Sequence, residues 1–562
     1  MRYKELSEVY ERLASTSKRL EKIKILSDFL IKIKDGEEDI IYLLTGEIFP
    51  DYEEKKMGIN SQLVIKSLSK SLGVDKEKIV EEWKKIGDLG EVAEKLIQKK
   101  KQITLQFSVL TSEKVLKNLR KLPELEGEGT INKKLSLIIE LFNSISGLEA
   151  KYLTRTLIGD LRIGIQESTI REALSLAFFN GNKEASEKIQ NSINKLNDLK
   201  EIFLICKQKD LKRLDEVKLI PGKPIKVMLA QKVKTIEEGF KEVGIPCAIE
   251  YKYDGIRIVI HKKNNKVFLF TRRLENVTKQ FPEVVEYILN YVKGENFILD
   301  SEVVGFDEKT KTYKPFQNIS QRVKRKYEIE KLRKELPVEV NIFDILFYND
   351  KDLINMKFEE RTKLIRKIVQ EIPFKIRCSK QIITSNINEA KKFYEEALKN
   401  NQEGIMLKNL KAIYNPGSRV GHMLKMKPEQ RDFDLVITGG EYGTGKRSGW
   451  ISSFIVSCSD EGEYLEVGKV GTGIKEKSEE GFSFEELTEK IKPLIIKEEG
   501  KKVFIKPEIV VSITYQEIQK SPTYSSGFAL RFPRFVSIRE DKPLSEITGL
   551  EEIEEEFKNQ KN

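Results

Sequence analysis

Apolar residues recur at helical spacing from the start of the chain to about residue 216, with clear runs at Leu135–Ile145 and Lys151–Leu157. Another helix is expected to open at Thr169-Ile170-Arg171-Glu172, which has capping-box spacing. Around Val217–Met228 the period is interrupted by Pro221, Gly222 and Pro224, and strands then alternate with helices. After Asp432-Phe433-Asp434 the runs become short, with glycine-rich turns at Gly439-Gly440 and Gly468–Gly473, the pattern of a small β-barrel. Three domains are therefore expected: all-α over 1–216, α+β over 217–429 and a barrel over 430–562. The closing charged stretch Glu551–Asn562 reads as a frayed helix.

At 562 residues the length suits three or four domains with a core each. Net charge is +11, which fits a polyanionic partner without demanding one. The 34% of charged residues, with Lys and Glu abundant, lean towards a thermophile. Four cysteines stand singly, so neither a zinc site nor a disulfide framework is indicated. His261 and His422 are the only histidines, so a metal here would be oxygen-ligated Mg²⁺ or Mn²⁺. The opening Met1–Glu5 is charged and no apolar run spans a bilayer, giving the expectation of a soluble cytoplasmic chain.

The densest chemistry lies in Glu250-Tyr251-Lys252-Tyr253-Asp254-Gly255-Ile256-Arg257. A buried strand Ile258-Val259-Ile260, a polar turn and a second strand Val267–Phe270 follow, so Lys252 is expected at the mouth of a hairpin. A lysine fixed there and partly desolvated can act as a nucleophile on phosphorus. By accident K-x-D-G-x-R turns up in roughly one lysine-rich chain in a hundred, so its downstream company decides. Arg272 and Arg273 end the second strand, where Arg272 can clamp a phosphate. On Phe297–Val304, Asp300 and Glu302 share a face and need a positive partner. Phe343 lies on an alternating strand, where it could stack on a base or simply pack in the core. Glu403-Gly404 precedes a short strand ending at Lys408, Lys425 and Lys427 share a face, and Arg531, Arg534, Arg539 and Lys542 mark the barrel.

Two helical-region stretches complete the inventory. Gly159-Asp160-Leu161-Arg162-Ile163-Gly164-Ile165 sets glycines beside an arginine, which lets backbone N–H groups approach a phosphate. Gln102-Ile103-Thr104-Leu105-Gln106-Phe107 has the glutamine, aliphatic and aromatic spacing of a short docking motif. Gly440–Lys446 nearly spells a P-loop, but Arg447 replaces the metal-binding hydroxyl and no helical pattern follows.

In this order, K-x-D-G-x-R, arginine, acidic strand, Phe strand, E-G-x-x-x-K, K-x-K and a basic barrel, the chain resembles the ATP-dependent DNA ligases, in particular archaeal ligases related to eukaryotic ligase I. Tyr42–Pro50 and Arg155–Arg162 are similar to that family's DNA-binding domain. The resemblance implies a helical DNA-binding domain, a nucleotidyltransferase (adenylation) domain and an OB-fold barrel. It implies Lys252 as the residue adenylated by ATP, Glu250 as adenine reader and Phe343 as its stacking platform. Arg257 and Arg272 would hold ribose and phosphate, Glu302 and Glu403 a Mg²⁺ or Mn²⁺ ion, and Lys425 and Lys427 the α-phosphate. Arg531 and Lys542 would orient pyrophosphate, and Gly159, Arg162 and Gly164 would touch nicked double-stranded DNA. Gln102, Leu105 and Phe107 would bind a sliding clamp of the proliferating cell nuclear antigen type, and the chain would act as a monomer. An RNA ligase or mRNA capping enzyme is the nearest alternative, and a non-catalytic nucleic-acid-binding protein the next. The long helical domain and Glu250 argue against the first, and the filled reactive positions against the second.

Overall fold

A computed structural model describes residues 1–560 except 51, 54, 56, 100–108, 126, 128, 144, 315, 325, 326, 429–431, 445, 446, 448 and 477–482. The chain forms two compact units, residues 1–81 with 89–428, and residues 429–562 with 82–88. The expected docking motif at Gln102–Phe107 lies outside the described residues.

The first unit opens with helices that pack around Gly147–Ile158, in which every residue from Glu149 to Leu157 is buried. Its charged side chains are met rather than left bare: Lys151 Nζ lies 2.9 Å from Glu11, and the Tyr152 hydroxyl donates to the same carboxylate at 2.8 Å. Capping corrects two sequence expectations. The run expected over Leu135–Ile145 stops with the helix Thr130–Phe142. The chain restarts at Ser146, whose N–H donates to Glu149 at 2.7 Å. The helix expected to open at Thr169 begins at Glu167 instead. Thr169 stands inside its first turn, accepting from the Gln166 N–H at 3.4 Å.

Among the described residues twelve strands follow: β1 (Leu229–Lys232), β2 (Cys247–Lys252), β3 (Ile256–Lys263), β4 (Lys266–Thr271), β5 (Phe297–Phe306) and β6 (Tyr313–Lys314). Then come β7 (Val338–Tyr348), β8 (Lys351–Asp352), β9 (Ile376–Cys378), β10 (Gln381–Thr384), β11 (Gly404–Asn409) and β12 (Arg419–Met426). They make two sheets, β1-β12-β11-β2-β10 and β4-β3-β5-β7-β8, with β6 on β5 and β9 on β7. In the second sheet Ile256, Ile258 and Ile260 of β3 face Val303, Leu299, Val340 and Ile342 in one core. The opposite face carries Arg257, Glu302 and Asn341 in register.

The second unit is β-rich, as expected of the C-terminal domain. Its strand β13 (Asp432–Tyr442) is the spine and pairs with β14 (Ile451–Asp460), β17 (Lys502–Ile505) and β18 (Val510–Thr514). The remaining strands are β15 (Glu463–Val470), β16 (Ile495–Glu499), β19 (Glu517–Lys520), β20 (Phe528–Arg531) and β21 (Arg534–Ile538). Gly439 and Gly440 do not form the expected turn. They lie inside β13 beside a break in its register with β14, where a bulge bends the strand. The tail forms the helix Leu550–Asn559.

Candidate active site

The Glu250–Arg257 stretch is where the chain crosses from one sheet to the other. Lys252 ends β2 of the first sheet and Arg257 sits on β3 of the second, with only Tyr253-Asp254-Gly255 between the two strands. The expected β3–β4 hairpin is present, with Lys263 opposite Lys266. Lys252, however, belongs to the strand before it, because the apolar run Cys247–Ile249 already forms buried sheet. The crossing is tight: a Cβ on Gly255 would stand 2.4 Å from the Val303 carbonyl oxygen.

Lys252 is one-fifth exposed and ion-paired with Glu403, whose other oxygen meets Lys427. The backbone fixes this arrangement, since Gly404 pairs with Lys252 across β11 and β2 and the Glu403 N–H donates to the Lys252 carbonyl at 2.9 Å. At Gly404 the backbone has φ +142°, and a Cβ would lie 2.1 Å from the Met426 carbonyl oxygen. One carboxylate thus bridges the lysine of the first motif and a lysine of the K-x-K pair.

A second group of cations has no such partner. Burial holds the Lys425 pKa below the usual lysine range, helped by Arg419, Arg272 and Lys232 nearby. Burial likewise lowers Arg272, with Arg257, Arg419 and Arg273 adding to it. Among the described residues no carboxylate pairs with Arg272, Arg419 or Lys425. Positive charges gathered without counter-ions repel one another, and a polyphosphate relieves the repulsion.

The acidic strand finds its positive partner. Arg257 Nε and Nη2 donate to Asp300 at 2.9 and 2.6 Å, and Nη1 donates to the Met228 carbonyl at 2.8 Å. The Tyr414 hydroxyl adds a 2.8 Å bond to the fully buried Asp300. Burial alone would pull the Arg257 pKa down, but Asp300, Tyr414 and Glu302 together outweigh it and the guanidinium stays charged. Asp344 likewise accepts two bonds from buried Arg361, at 2.7 and 3.0 Å. Glu302, directly opposite Arg257, has no such bidentate partner; burial pushes its carboxyl up to about 8 against the pull of Arg257.

Beside Arg257 lies the ring of Phe343. β7 carries an extra residue against β5, since Ser301 pairs with Ile342 and Asp300 with Asp344, which leaves Phe343 in a bulge. Bulges re-aim side chains; the Phe343 ring meets the Arg257 guanidinium at 5.4 Å and the Lys408 ammonium at 4.8 Å. Lys408 also lies 2.7 Å from one oxygen of buried Glu250, and Gln381 Nε2 donates to the other at 2.7 Å. Burial raises the Glu250 pKa, opposed by Lys408.

Three family models match the chain: "DNA ligase N terminus" over residues 2–175, "ATP dependent DNA ligase domain" over 227–427 and "ATP dependent DNA ligase C terminal region" over 447–542. A DNA ligase of Nanoarchaeum equitans is 44% identical over 565 residues, covering 100% of this chain and 99% of that protein. The chain belongs to the ATP-dependent DNA ligase family. A DNA ligase of Thermococcus onnurineus is 39% identical with 100% of both chains covered, and one of Archaeoglobus fulgidus 38% with 99% of each. The solved structure named Pmar-Lig_Pre. shares the fold with a TM-score of 0.59 at 20% identity, covering 95% of this chain and 99% of that one.

Within this ligase's first unit, nine residues singled out in sequence fall in the two sheets or directly beside them: Glu250, Lys252, Arg257, Arg272, Glu302, Phe343, Glu403, Lys425 and Lys427. Sequence reasoning missed Arg419, which opens the strand carrying Lys425, and gave Lys408 no role although it closes the E-G-x-x-x-K run. Both signals were basic residues on strands flanking the motif, indistinguishable in sequence from solvated lysines and arginines. Arg531 and Lys542 belong to the second unit. There Arg531 lies 3.7 Å from Glu517, and Asp434 holds Lys542 at 2.7 Å and Arg539 at 3.0 Å.

The loop 159–166 joins the buried helix Gly147–Ile158 to Glu167–Phe179 and lines a groove of about 270 Å³ with Leu44 and Thr45. Gly159, Arg162 and Gly164 all have positive φ, at 72°, 55° and 60°. Buried Lys22 pins the loop from beneath, donating to the carbonyls of Ile163 at 2.6 Å and Gly164 at 3.0 Å. Those carbonyls are thereby turned inward.

Proposed function

We propose that the enzyme seals nicks in double-stranded DNA through a lysyl-AMP at Lys252. What supports this is the Glu403 bridge between Lys252 and Lys427, with β11 pairing β2 on one side and β12, which carries Arg419 and Lys425, on the other; Lys425 feels Arg419 and Arg272, none of the three paired with a carboxylate among the described residues. ATP would lie with its base against Phe343 and its amino group towards Glu250. Its phosphates would lie towards the cations, and Arg257 is preset by Asp300 to hold the ribose. Lys252 Nζ, once its ammonium has given a proton to Glu403, attacks the α-phosphorus; the N–P bond forms as the bond to the pyrophosphate oxygen breaks, pyrophosphate carries away the electron pair, and the nitrogen releases its second proton to solvent. Lys425, Arg419 and Lys427 stabilise the charge on the equatorial oxygens. AMP next passes to the 5′-phosphate at the nick, and the 3′-hydroxyl displaces it.

The residues present fit a divalent cation. Among the described residues no cluster of three or more acidic, His or Cys side chains forms a ready cage, so protein carboxylates would share the ion with the ATP phosphates. Glu302, a half-buried carboxyl without a bidentate partner, is the strongest donor, and Glu403 would join by exchanging a lysine. Bound there, Mg²⁺ or Mn²⁺ would neutralise charge on the transferring phosphoryl group.

Arg531 and Lys542 would orient pyrophosphate from the second domain. The loop of Gly159, Arg162 and Gly164 would grip DNA phosphates without reading sequence. Gln102, Leu105 and Phe107 would dock a sliding clamp. No described helix is long and apolar enough to cross a membrane; we place the enzyme in the cytoplasm with its DNA, as a monomer. The test is sealing of a 5′-labelled nicked duplex with ATP and Mg²⁺. Joined product is expected with ATP. Joining only of nicked RNA, or label uptake only from GTP, would return the RNA-ligase or capping reading.

A further inference from the structure

Lys408 is buried to 5% exposure and Glu250 to 2%, a placement that is expensive for a lone charge and tolerable for a hydrogen-bonded pair. Four contacts converge on the Lys408 ammonium, one of them the Phe358 ring at 4.7 Å. It lies 2.7 Å from Glu250 Oε2, donates to the Phe343 carbonyl at 3.4 Å, and stands 4.8 Å from the centre of the Phe343 ring. The other Glu250 oxygen accepts from Gln381 Nε2, which is itself 3.4 Å from Thr362 Oγ1. Both carboxylate oxygens therefore face donors, an arrangement that suits the ionised group and not the acid.

Adenine presents an amino donor where guanine presents a carbonyl acceptor. An ionised Glu250 accepts from the first and repels the second, whereas a protonated Glu250 could donate to the second. We propose that Lys408 is a specificity-determining residue that acts through Glu250: by keeping the base-reading carboxylate an acceptor, and by fixing the Phe343 platform, it selects ATP over GTP. This rests on the reading of Glu250 as the base reader. Burial acts on Glu250 in the opposite direction, towards protonation, and Asp344 adds to it even though its charge is shared with Arg361. Gln381 is neutral, so Lys408 supplies the cation that opposes them.

The test is self-nucleotidylation of the full chain with ATP and with GTP, read as the ratio of the two kcat/KM values. In K408M, which keeps the length of the side chain without its charge, the ratio is expected to fall at least about tenfold. K408R, which restores a cation, should stay within about threefold of wild type. K408Q removes the charge but leaves a donor, and serves if K408M does not fold; it should show the same fall. A wild-type ratio in folded K408M or K408Q overturns the proposal, even if both rates drop together. E250Q separates the two readings. If E250Q loses discrimination while the Lys408 variants keep it, the Lys408 inference alone fails. If E250Q keeps it, Glu250 does not read the base and both fail.

Discussion

Asn in place of Asp300 tests whether the acidic strand presets the nucleotide site. Asp300 is fully buried and receives two bonds from Arg257, at 2.9 and 2.6 Å, and one from Tyr414 at 2.8 Å. Asn keeps the volume but offers one acceptor oxygen and no charge, so partly buried Arg257 loses its hydrogen-bonded counter-charge, keeps only Glu302 opposite it, and is left with at least one orphaned N–H. Removing one partner of such a pair costs about 3–5 kcal/mol, which for a domain of this size lowers Tm by roughly 6–20 °C. Arg257 also loses its fixed direction beside Phe343, and misplacement of about an ångström slows a group transfer by ~100-fold. The decisive comparison is a double-mutant cycle with R257M/D300L, an apolar pair of similar size. The double variant should recover most of the stability, because no guanidinium is stranded and Glu302 can take up a proton, yet it should self-adenylate as poorly as D300N. The assay is calorimetric unfolding beside label uptake from α-labelled ATP. If the single costs simply add in the double variant, or if D300N adenylates at the wild-type rate, Asp300 does not act through Arg257.

Further outcomes follow from other sites. Gly255→Ala places a Cβ 2.4 Å from the Val303 carbonyl oxygen. It should push Lys252 out of line, so self-adenylation falls at least tenfold while circular dichroism shows a folded chain. His261 is buried with its Nδ1 accepting from the Gly222 N–H at 3.1 Å, and burial lowers its pKa from 6.5 to about 3. The folded chain therefore refuses a proton that the unfolded chain binds below pH 6.5. This contribution to stability is complete above that pH and declines by about 1.4 kcal/mol per unit as pH falls towards 3. Urea unfolding of His261→Gln should show a shallower acid slope, and an unchanged slope would contradict the assignment. Lys22→Met releases the carbonyls of Ile163 and Gly164. It should raise KM for nicked DNA several-fold with self-adenylation unchanged; steady-state sealing kinetics give both numbers.

What could be read in the sequence was local. The β3–β4 hairpin, the acidic strand β5 and the strand carrying Phe343 were legible because each is a short run with a period of two and polar ends. Strand β2 was not, since Glu250 and Lys252 disguise a buried strand as a polar motif. The bulge at Phe343 leaves no trace in composition; it is set by how β7 meets β5. Pairings between distant residues were equally hidden. Lys22 reaches Ile163 across 141 residues, and Lys408 reaches Glu250 from another strand. The K-x-K pair was visible as charge, but that Lys427 shares Glu403 with Lys252 while Lys425 faces arginines follows only from packing. Helix ends shifted for a related reason, because the caps at Ser146 and Gln166 outweigh the apolar period.

Lys252 is the residue expected to carry AMP. The full chain should be incubated with ATP and Mg²⁺ without DNA, digested, and its peptides mapped by mass spectrometry, with K252A alongside. One AMP per chain on the peptide containing Lys252, stable to base and lost to acid, discharged by nicked DNA and missing from K252A, is the predicted result. AMP on Lys425 or Lys427, or no covalent AMP from a preparation that still seals nicks, would contradict the account.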